Sequence, residues 1–227
     1  MNMRIQNNYD AIAEVYDFLS RLVFGKAQVK VQIDLISHIA PKSTILIVGG
    51  GSGWILEELA KRYADGLTIT YLELSQRMLN LSKKRKYGKN SVYFKHGAIE
   101  DDTEPSQFDV IITPFLFDNF AEARTTLVFD KLTAKLRTSG LWLFADFVVD
   151  NRDAYWKRIM LKLMYRFFGW LCTVEAKHLI DVRSYFGREK YTLLTTYRYY
   201  AGFIQGKVYV KATTAIPLSN CLPVGGV

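Results

Sequence analysis

The residues whose types and spacing could do chemistry begin with Gly49-Gly50-Gly51-Ser52-Gly53 and continue, about 20 positions on, with Glu73. Glycine tolerates backbone angles that a Cβ forbids, and it lets the main chain approach a ligand closely. Between a buried strand and a helix, such a loop is where open α/β sheets bind nucleotides. The spacing narrows the ligand. Glycines at 49, 51 and 53 read G-x-G-x-G, and Trp54 stands where the dinucleotide fingerprint requires glycine. No Gly-Lys-Ser/Thr follows, so the loop is not a P-loop. Glu73 closes an apolar run, and a carboxylate at that strand end can accept hydrogen bonds from both hydroxyls of an adenosine ribose. Either feature alone also fits a plain strand–helix turn or an exposed acid. Together they point to an adenosine-containing ligand.

Candidates for acid–base or positioning work lie elsewhere. Asp118 follows a fourth apolar run and could orient a substrate or act as a base, although a capping or solvated role fits the same position. Asp146, at the end of a fifth run, reads the same way. Tyr9 and Tyr16 lie two helical turns apart and share one face, as a lid over a ligand would, or as ordinary aromatic packing would. His38, His96 and His178 show no metal-ligand spacing, His178 reading as a surface or capping residue, and no metal site is expected. Cys172 and Cys221 fit neither metal nor redox spacing. With no secretory signal apparent, they suggest a reduced, cytoplasmic protein.

These residues need a scaffold, and the hydrophobic pattern supplies one. The first 25 or so residues have helical spacing of Ile12, Val15, Tyr16, Leu19, Leu22 and Val23. Strands are expected at 44–48, 67–73, 92–95, 108–113 and 141–145. Helices are expected at 54–63, 76–86 with Ser75 as cap, and 121–136, the last stopped near Gly140. Such alternation implies a mainly parallel sheet with helices on both faces. After residue 150 come helices at 155–171 and 180–190, then 193–200 and 207–212 as an antiparallel pair. One domain is expected over 1–212, with cap helices in 1–40, a helical cover in 151–190 and an irregular tail at 213–227.

The strand–loop run Ile45-Leu46-Ile47-Val48-Gly49-Gly50-Gly51-Ser52-Gly53 resembles the first motif of the class I S-adenosylmethionine-dependent methyltransferases. Tyr71-Leu72-Glu73-Leu74-Ser75 resembles their second-strand motif, Phe94-Lys95-His96-Gly97-Ala98-Ile99-Glu100 their adenine-side loop, and Phe108-Asp109-Val110-Ile111-Ile112-Thr113 their fourth strand. Leu136-Arg137-Thr138-Ser139-Gly140 looks like the turn before the fifth strand. Residues 9–17 and Asp118-Asn119-Phe120 are similar to the ubiquinone/menaquinone-biosynthesis C-methyltransferase branch.

The resemblance implies a Rossmann-like, mainly parallel seven-stranded sheet with an antiparallel last strand, S-adenosylmethionine as cofactor, and methyl transfer as the reaction. It places Tyr16, Gly49, Gly50, Gly51, Gly53, Glu73, Leu74, Gly97, Ala98, Ile99, Pro114 and Phe115 at the cofactor, with Asp118 and Tyr16 near the chemistry. Three positions depart from the family pattern. Ile47 and Ala98 stand where acidic residues are common, leaving Glu100, Asp101 or a backbone carbonyl to receive the adenine amino group. Pro114 replaces a small polar residue. The departures keep open an inactive, cofactor-binding module that works through protein or membrane contacts.

Composition sets the remaining bounds. The 227 residues are 49% hydrophobic, enough to bury a substantial core, and carry a net charge of +8. That charge suits nucleic acid, an anionic membrane surface, or simple solubility. No apolar run reaches the ~18–20 residues of a spanning helix. In 155–171, Arg158, Lys162 and Arg166 recur every four residues on an otherwise apolar helix. Such a helix could lie on a membrane, roof a greasy pocket, or cover the core with a solvated basic edge. A small hydrophobic acceptor, quinone-precursor-like or lipid-like, is therefore expected, with Phe115 and Phe117 as pocket walls. RNA is disfavoured: after the fourth strand stands Thr113-Pro114-Phe115-Leu116, not an Asp/Asn-Pro-Pro-aromatic stretch, and no separate RNA-binding module is visible.

Overall fold

The computed structural model describes residues 24, 26–149, 155–171 and 179–212. The expected N-terminal helix with Tyr9 and Tyr16, the residues Cys172, His178 and Cys221, and the tail from 213 lie outside the described residues.

Seven strands form one sheet: β1 (Thr44–Val48), β2 (Asp65–Glu73), β3 (Lys89–His96), β4 (Phe108–Pro114), β5 (Leu136–Phe147), β6 (Tyr191–Tyr199) and β7 (Ile204–Lys211). Their order is β3-β2-β1-β4-β5-β7-β6. The first five are parallel, and β7 runs antiparallel to both β5 and β6. Ile45 to Val48 are all buried, because β1 is central and covered on both faces. The strand order reverses between β1 and β4. That switch point opens a crevice at the carboxyl ends of the strands, where Val48, Glu73 and Pro114 finish.

Each face packs its own core. On one, α1 (Ala27–Ile36) and α2 (Trp54–Arg62) bring Val31, Leu35, Leu56 and Leu59 onto Ile45, Ile47 and Tyr71. On the other, α4 (Glu122–Lys135) and α6 (Arg183–Arg188) bury Val128, Phe129, Leu132 and Phe186 against Leu46, Trp142, Phe144 and Tyr209. The Phe129 ring stacks on Trp142 at 4.8 Å, and Phe186 lies parallel to Tyr209 at 3.7 Å. The Trp142 indole donates to Thr113 Oγ1 at 2.9 Å, so this aromatic core leaves no indole N–H unpaired. The remaining helices are α3 (Gln76–Ser82) and α5 (Tyr155–Leu171).

Several boundaries differ from the sequence expectation, and three of the differences have a clear local cause. Residues 136–140 are not a turn: Leu136 already pairs with Phe108, the register slips before Val110↔Leu141, and Ser139 takes a left-handed φ of 60° in the slip. Hydrogen bonding to β4 here overrides the turn-like Ser-Gly composition. Helix α3 ends at Ser82 rather than near residue 86, where Arg85 instead turns its guanidinium back to Ser52. Helix α6 is only Arg183–Arg188, begun where the Asp181 carboxylate accepts from Arg183 N–H at 3.0 Å.

Candidate active site

The glycine loop is held by side chains from β2. Alternation along a strand puts Tyr71 and Glu73 on one face, and both reach Gly51. Glu73 Oε2 accepts from Gly51 N–H at 3.0 Å, and the Tyr71 hydroxyl donates to Gly51 C=O at 2.9 Å. Both backbone polar groups of that residue are thus clamped. Gly50 must be glycine because a Cβ there would stand 2.4 Å from the Tyr71 hydroxyl oxygen. Gly53, at φ 80°, caps α2, and its Cβ would fall 2.5 Å from Ser82 Cβ. Arg85 Nε donates to Ser52 C=O at 3.0 Å and fixes the far side. By contrast, a Cβ at Gly51 would meet no protein atom within 4 Å. The loop therefore has a protein-packed side and an open side, which is the shape required by a ligand lying against its backbone.

Glu73 is buried, and its other oxygen accepts from Ser75 N–H at 2.9 Å. Burial raises its pKa, opposed by the hydrogen bonds from the Ser75 and Gly51 amides. A carboxylate offers about four lone-pair directions, so acceptor capacity remains for ligand hydroxyls. On the same edge, Gly97 N–H donates to Glu73 C=O at 3.1 Å, and Gly97 also has open space where a Cβ would be. His96 Nε2 donates to Leu74 C=O at 2.9 Å, and Ala98 and Ile99 are buried beside it. Glu100, one alternative to the missing acid at 98, is drawn away: its Oε1 accepts from Arg124 Nε at 2.5 Å, and Arg124 sits over Phe120.

The β4 edge meets the loop directly. Leu116 Cδ1 lies 2.9 Å from where a Gly49 Cβ would stand. Phe115 occupies the left-handed region at φ 52°, held by its N–H to Ala145 C=O at 2.7 Å and by the Asn119 amide to its own carbonyl at 3.0 Å. A bulky residue in that conformation costs of order 1–3 kcal/mol. The kink turns Phe115 onto Phe147, 5.1 Å between centroids, and carries the chain into the turn Phe117–Asn119. Phe117 does not line a pocket as expected. It is 2% exposed and packs among Phe120, Phe129, Trp142 and Phe144, because the kink points it into the core.

That turn brings Asp118 against Asp146, the carboxylate that ends the β5 run. Asp146 is 2% exposed; its Oδ1 accepts from Phe147 N–H at 2.8 Å and its Oδ2 from Phe117 N–H at 3.2 Å. Asp118 Oδ1 accepts from the Asn119 amide at 2.7 Å. Burial and the Asp146 charge push the Asp118 pKa well above the usual carboxylate range, and burial lifts Asp146 to about 7. A pair of this kind holds a proton at neutral pH and can accept another group's proton. Both acids line a cleft of about 510 Å³, mouth included, with Phe144, Phe147, Lys207 and Tyr209. Lys207, itself buried, is brought there by the pairing of Phe144 with Lys207 across β5 and β7.

The structure thus gathers Gly49 to Gly53, Glu73, Leu74 and Gly97 to Ile99 along one edge, and Pro114, Phe115 and Asp118 along the adjoining one. Tyr71 and Lys207 were not singled out in the sequence. The first sits two residues before Glu73 and shares its face by strand alternation; the second becomes visible only through the antiparallel register. Among the described residues, no cluster of potential metal ligands occurs.

Comparison with known proteins identifies the family. Residues 45–140 match the family model of a methyltransferase domain. A demethylmenaquinone methyltransferase of Thermotoga maritima is 36% identical over 171 residues, spanning 72% of this chain and 71% of that protein. The ubiquinone/menaquinone biosynthesis C-methyltransferase UbiE of Geotalea daltonii is 34% identical over 85 residues, 36% of each chain. In fold, the chain is similar to a Burkholderia thailandensis 1,6-didemethyltoxoflavin-N1-methyltransferase, solved with 1,6-didemethyltoxoflavin and S-adenosylhomocysteine bound. The TM-score is 0.60 over 89% of both chains, at 14% identity. The chain belongs to the class I S-adenosylmethionine-dependent methyltransferases, on the branch of the ubiquinone/menaquinone-biosynthesis C-methyltransferases, and S-adenosylmethionine is its cofactor.

Proposed function

We propose that the chain methylates a small, hydrophobic, hydroxylated ring of the quinone-precursor type, on a ring carbon. The observation that carries this reading is the buried Asp118–Asp146 pair, set in an aromatic-walled cleft at the carboxyl end of β5. The name of the Thermotoga relative points the same way.

When bound, S-adenosylmethionine supplies an electrophilic methyl group on a good leaving sulfur, so alignment of the acceptor provides most of the rate. The fit on the cofactor side rests on the open face at Gly51 and Gly97. Gly49, Gly50, Gly51 and Gly53 would offer backbone to the ligand, and Glu73 would accept from the ribose hydroxyls. Leu74, Gly97, Ala98 and Ile99 would flank the adenine, and Pro114 and Phe115 would form the floor toward the acceptor. The resemblance adds Tyr16, which lies outside the described residues.

A phenolic acceptor needs a base before its ring carbon becomes nucleophilic. Asp146, poised near neutrality, takes the hydroxyl proton, and Asp118 holds its own proton and keeps the pair from carrying two charges. The ring carbon so activated would receive the methyl group that the bound cofactor supplies, and its hydrogen would leave as a proton to solvent, restoring the aromatic ring. Transfer of labelled methyl from S-adenosylmethionine to demethylmenaquinol analogues, followed by mass spectrometry of the product, tests this reading. A methylated ring carbon is expected; transfer only to fatty-acyl lipid or to RNA in the same panel would overturn it.

A further inference from the structure

Helix α5 turns an unusual face outward. At 100° per residue, Tyr155, Ile159 and Leu163 form one stripe, and Arg158, Lys162 and Arg166 form a second stripe beside it. Both are exposed: Tyr155 is 77%, Ile159 41% and Leu163 57% accessible, and the three basic residues lie in the exposed class. The opposite side faces the protein. Lys157 is buried and Met160 and Leu161 pack against the core, while Trp156, at the border beside Leu163 and partly accessible, meets Tyr200 and Phe203 edge-on at 6.0 and 6.2 Å. The helix contains no aspartate or glutamate. A helix that merely covers a core shows its polar side to solvent. Here solvent meets an apolar stripe flanked by positive charge.

We propose that α5 docks on an anionic lipid bilayer, lying in the headgroup plane. Tyr155, Ile159 and Leu163 enter the acyl boundary, and Lys162 and Arg166 sit among the phosphates, with Arg158 beside them. Charge decides among possible occupants. Two copies of this face would oppose like charges on chains of net charge +8, whereas an anionic surface attracts them. RNA would use the cations and leave the apolar stripe in water. The inference follows from the helix alone and does not depend on which acceptor is methylated.

The full chain is centrifuged with vesicles of phosphatidylcholine, with and without phosphatidylglycerol. The wild-type chain should partition onto the anionic vesicles and be released by salt. Lys162→Gln with Arg166→Gln should lower that partition about 25-fold, at roughly fivefold per basic residue. Ile159→Ser with Leu163→Ser should lower it about tenfold or more. All variants should keep the wild-type melting temperature and cofactor affinity, since these side chains face outward. Absence of wild-type binding to anionic vesicles would overturn the proposal without recourse to any variant. So would unchanged partition of both variants, or self-association that Leu163→Ser abolishes, which would assign the face to a second copy.

Discussion

The two edges of the crevice solve opposite problems. At the β1–β2 edge, the polar groups of Gly51 and the carboxylate of Glu73 are paired with one another and with neighbouring amides. Two of the four loop glycines are forced by packing against Tyr71 and Ser82. At the β4–β5 edge, a left-handed Phe115 drives two carboxylates together out of water. The first edge is rigid because backbone and side chain clamp each other, and the second is poised because burial lifts its carboxyl pKa values. Methyl transfer to a phenolic ring, the proposed reaction, would use both, a fixed donor and a base whose protonation can change.

The strongest test of this contrast separates the two acids. Asp146→Asn should lower kcat/KM for a phenolic acceptor by about 10²- to 10⁴-fold while leaving cofactor affinity near wild type. Asp118→Asn should be far milder and should leave the acidic limb of the pH–rate profile near its wild-type position, because Asp118 holds its proton while Asp146 works and an amide keeps that site neutral. Stability gives a second readout. Both folded-state pKa values lie above the unfolded one, so the folded state holds protons that the unfolded chain has lost. Their stabilisation is complete below the ordinary aspartate range and is lost as pH rises toward about 7 for Asp146. The melting temperature of Asp146→Asn relative to wild type should therefore climb across that window. A difference independent of pH would show that the pair does not share protons as described.

How much of this was legible in the sequence follows the same division. Strands β1 and β4 could be read because each is buried on both faces, and buried strands are continuous apolar runs; β2 could be read from alternation, with Leu67, Ile69 and Tyr71 buried and Thr68 exposed. Gly49 to Gly53 and Glu73 were legible because conformation and chemistry both constrain the residue types there. The acid pair was not. Asp118 and Asp146 are each common strand-end residues, and only the pairing of Pro114 with Ala145 brings their two strand ends level. Phe117 was misjudged because aromatic character does not tell wall from core. What decides it is the left-handed kink at Phe115, which a phenylalanine at that position gives no reason to expect.

On the rigid edge, Glu73→Gln should cost cofactor affinity about 10- to 100-fold, in line with about 1.5–3 kcal/mol for hydrogen bonds to a charged group. The amide cannot accept on both atoms. It must turn a donor toward either Gly51 N–H or Ser75 N–H, so the loop clamp fails together with the ribose contact. Calorimetry with S-adenosylhomocysteine reads this directly. Wild-type affinity would move the ribose elsewhere along the edge.

The smallest expected effect is the most informative about how the edges communicate. Tyr71→Phe removes one hydroxyl from a fully buried ring and leaves its packing against Phe94 intact. The Gly51 carbonyl then loses its donor, at about 1 kcal/mol, which is about fivefold in cofactor affinity. The KM for the acceptor should stay unchanged if the clamp serves only the cofactor side. Yet Leu116 rests against Gly49, so a loosened loop has a route to the Phe117–Asn119 turn and to Asp118. A fall in kcat larger than the loss in cofactor affinity would mean that strain in the loop reaches the acid pair through that contact. The rigid edge would then also be setting the geometry of the poised one.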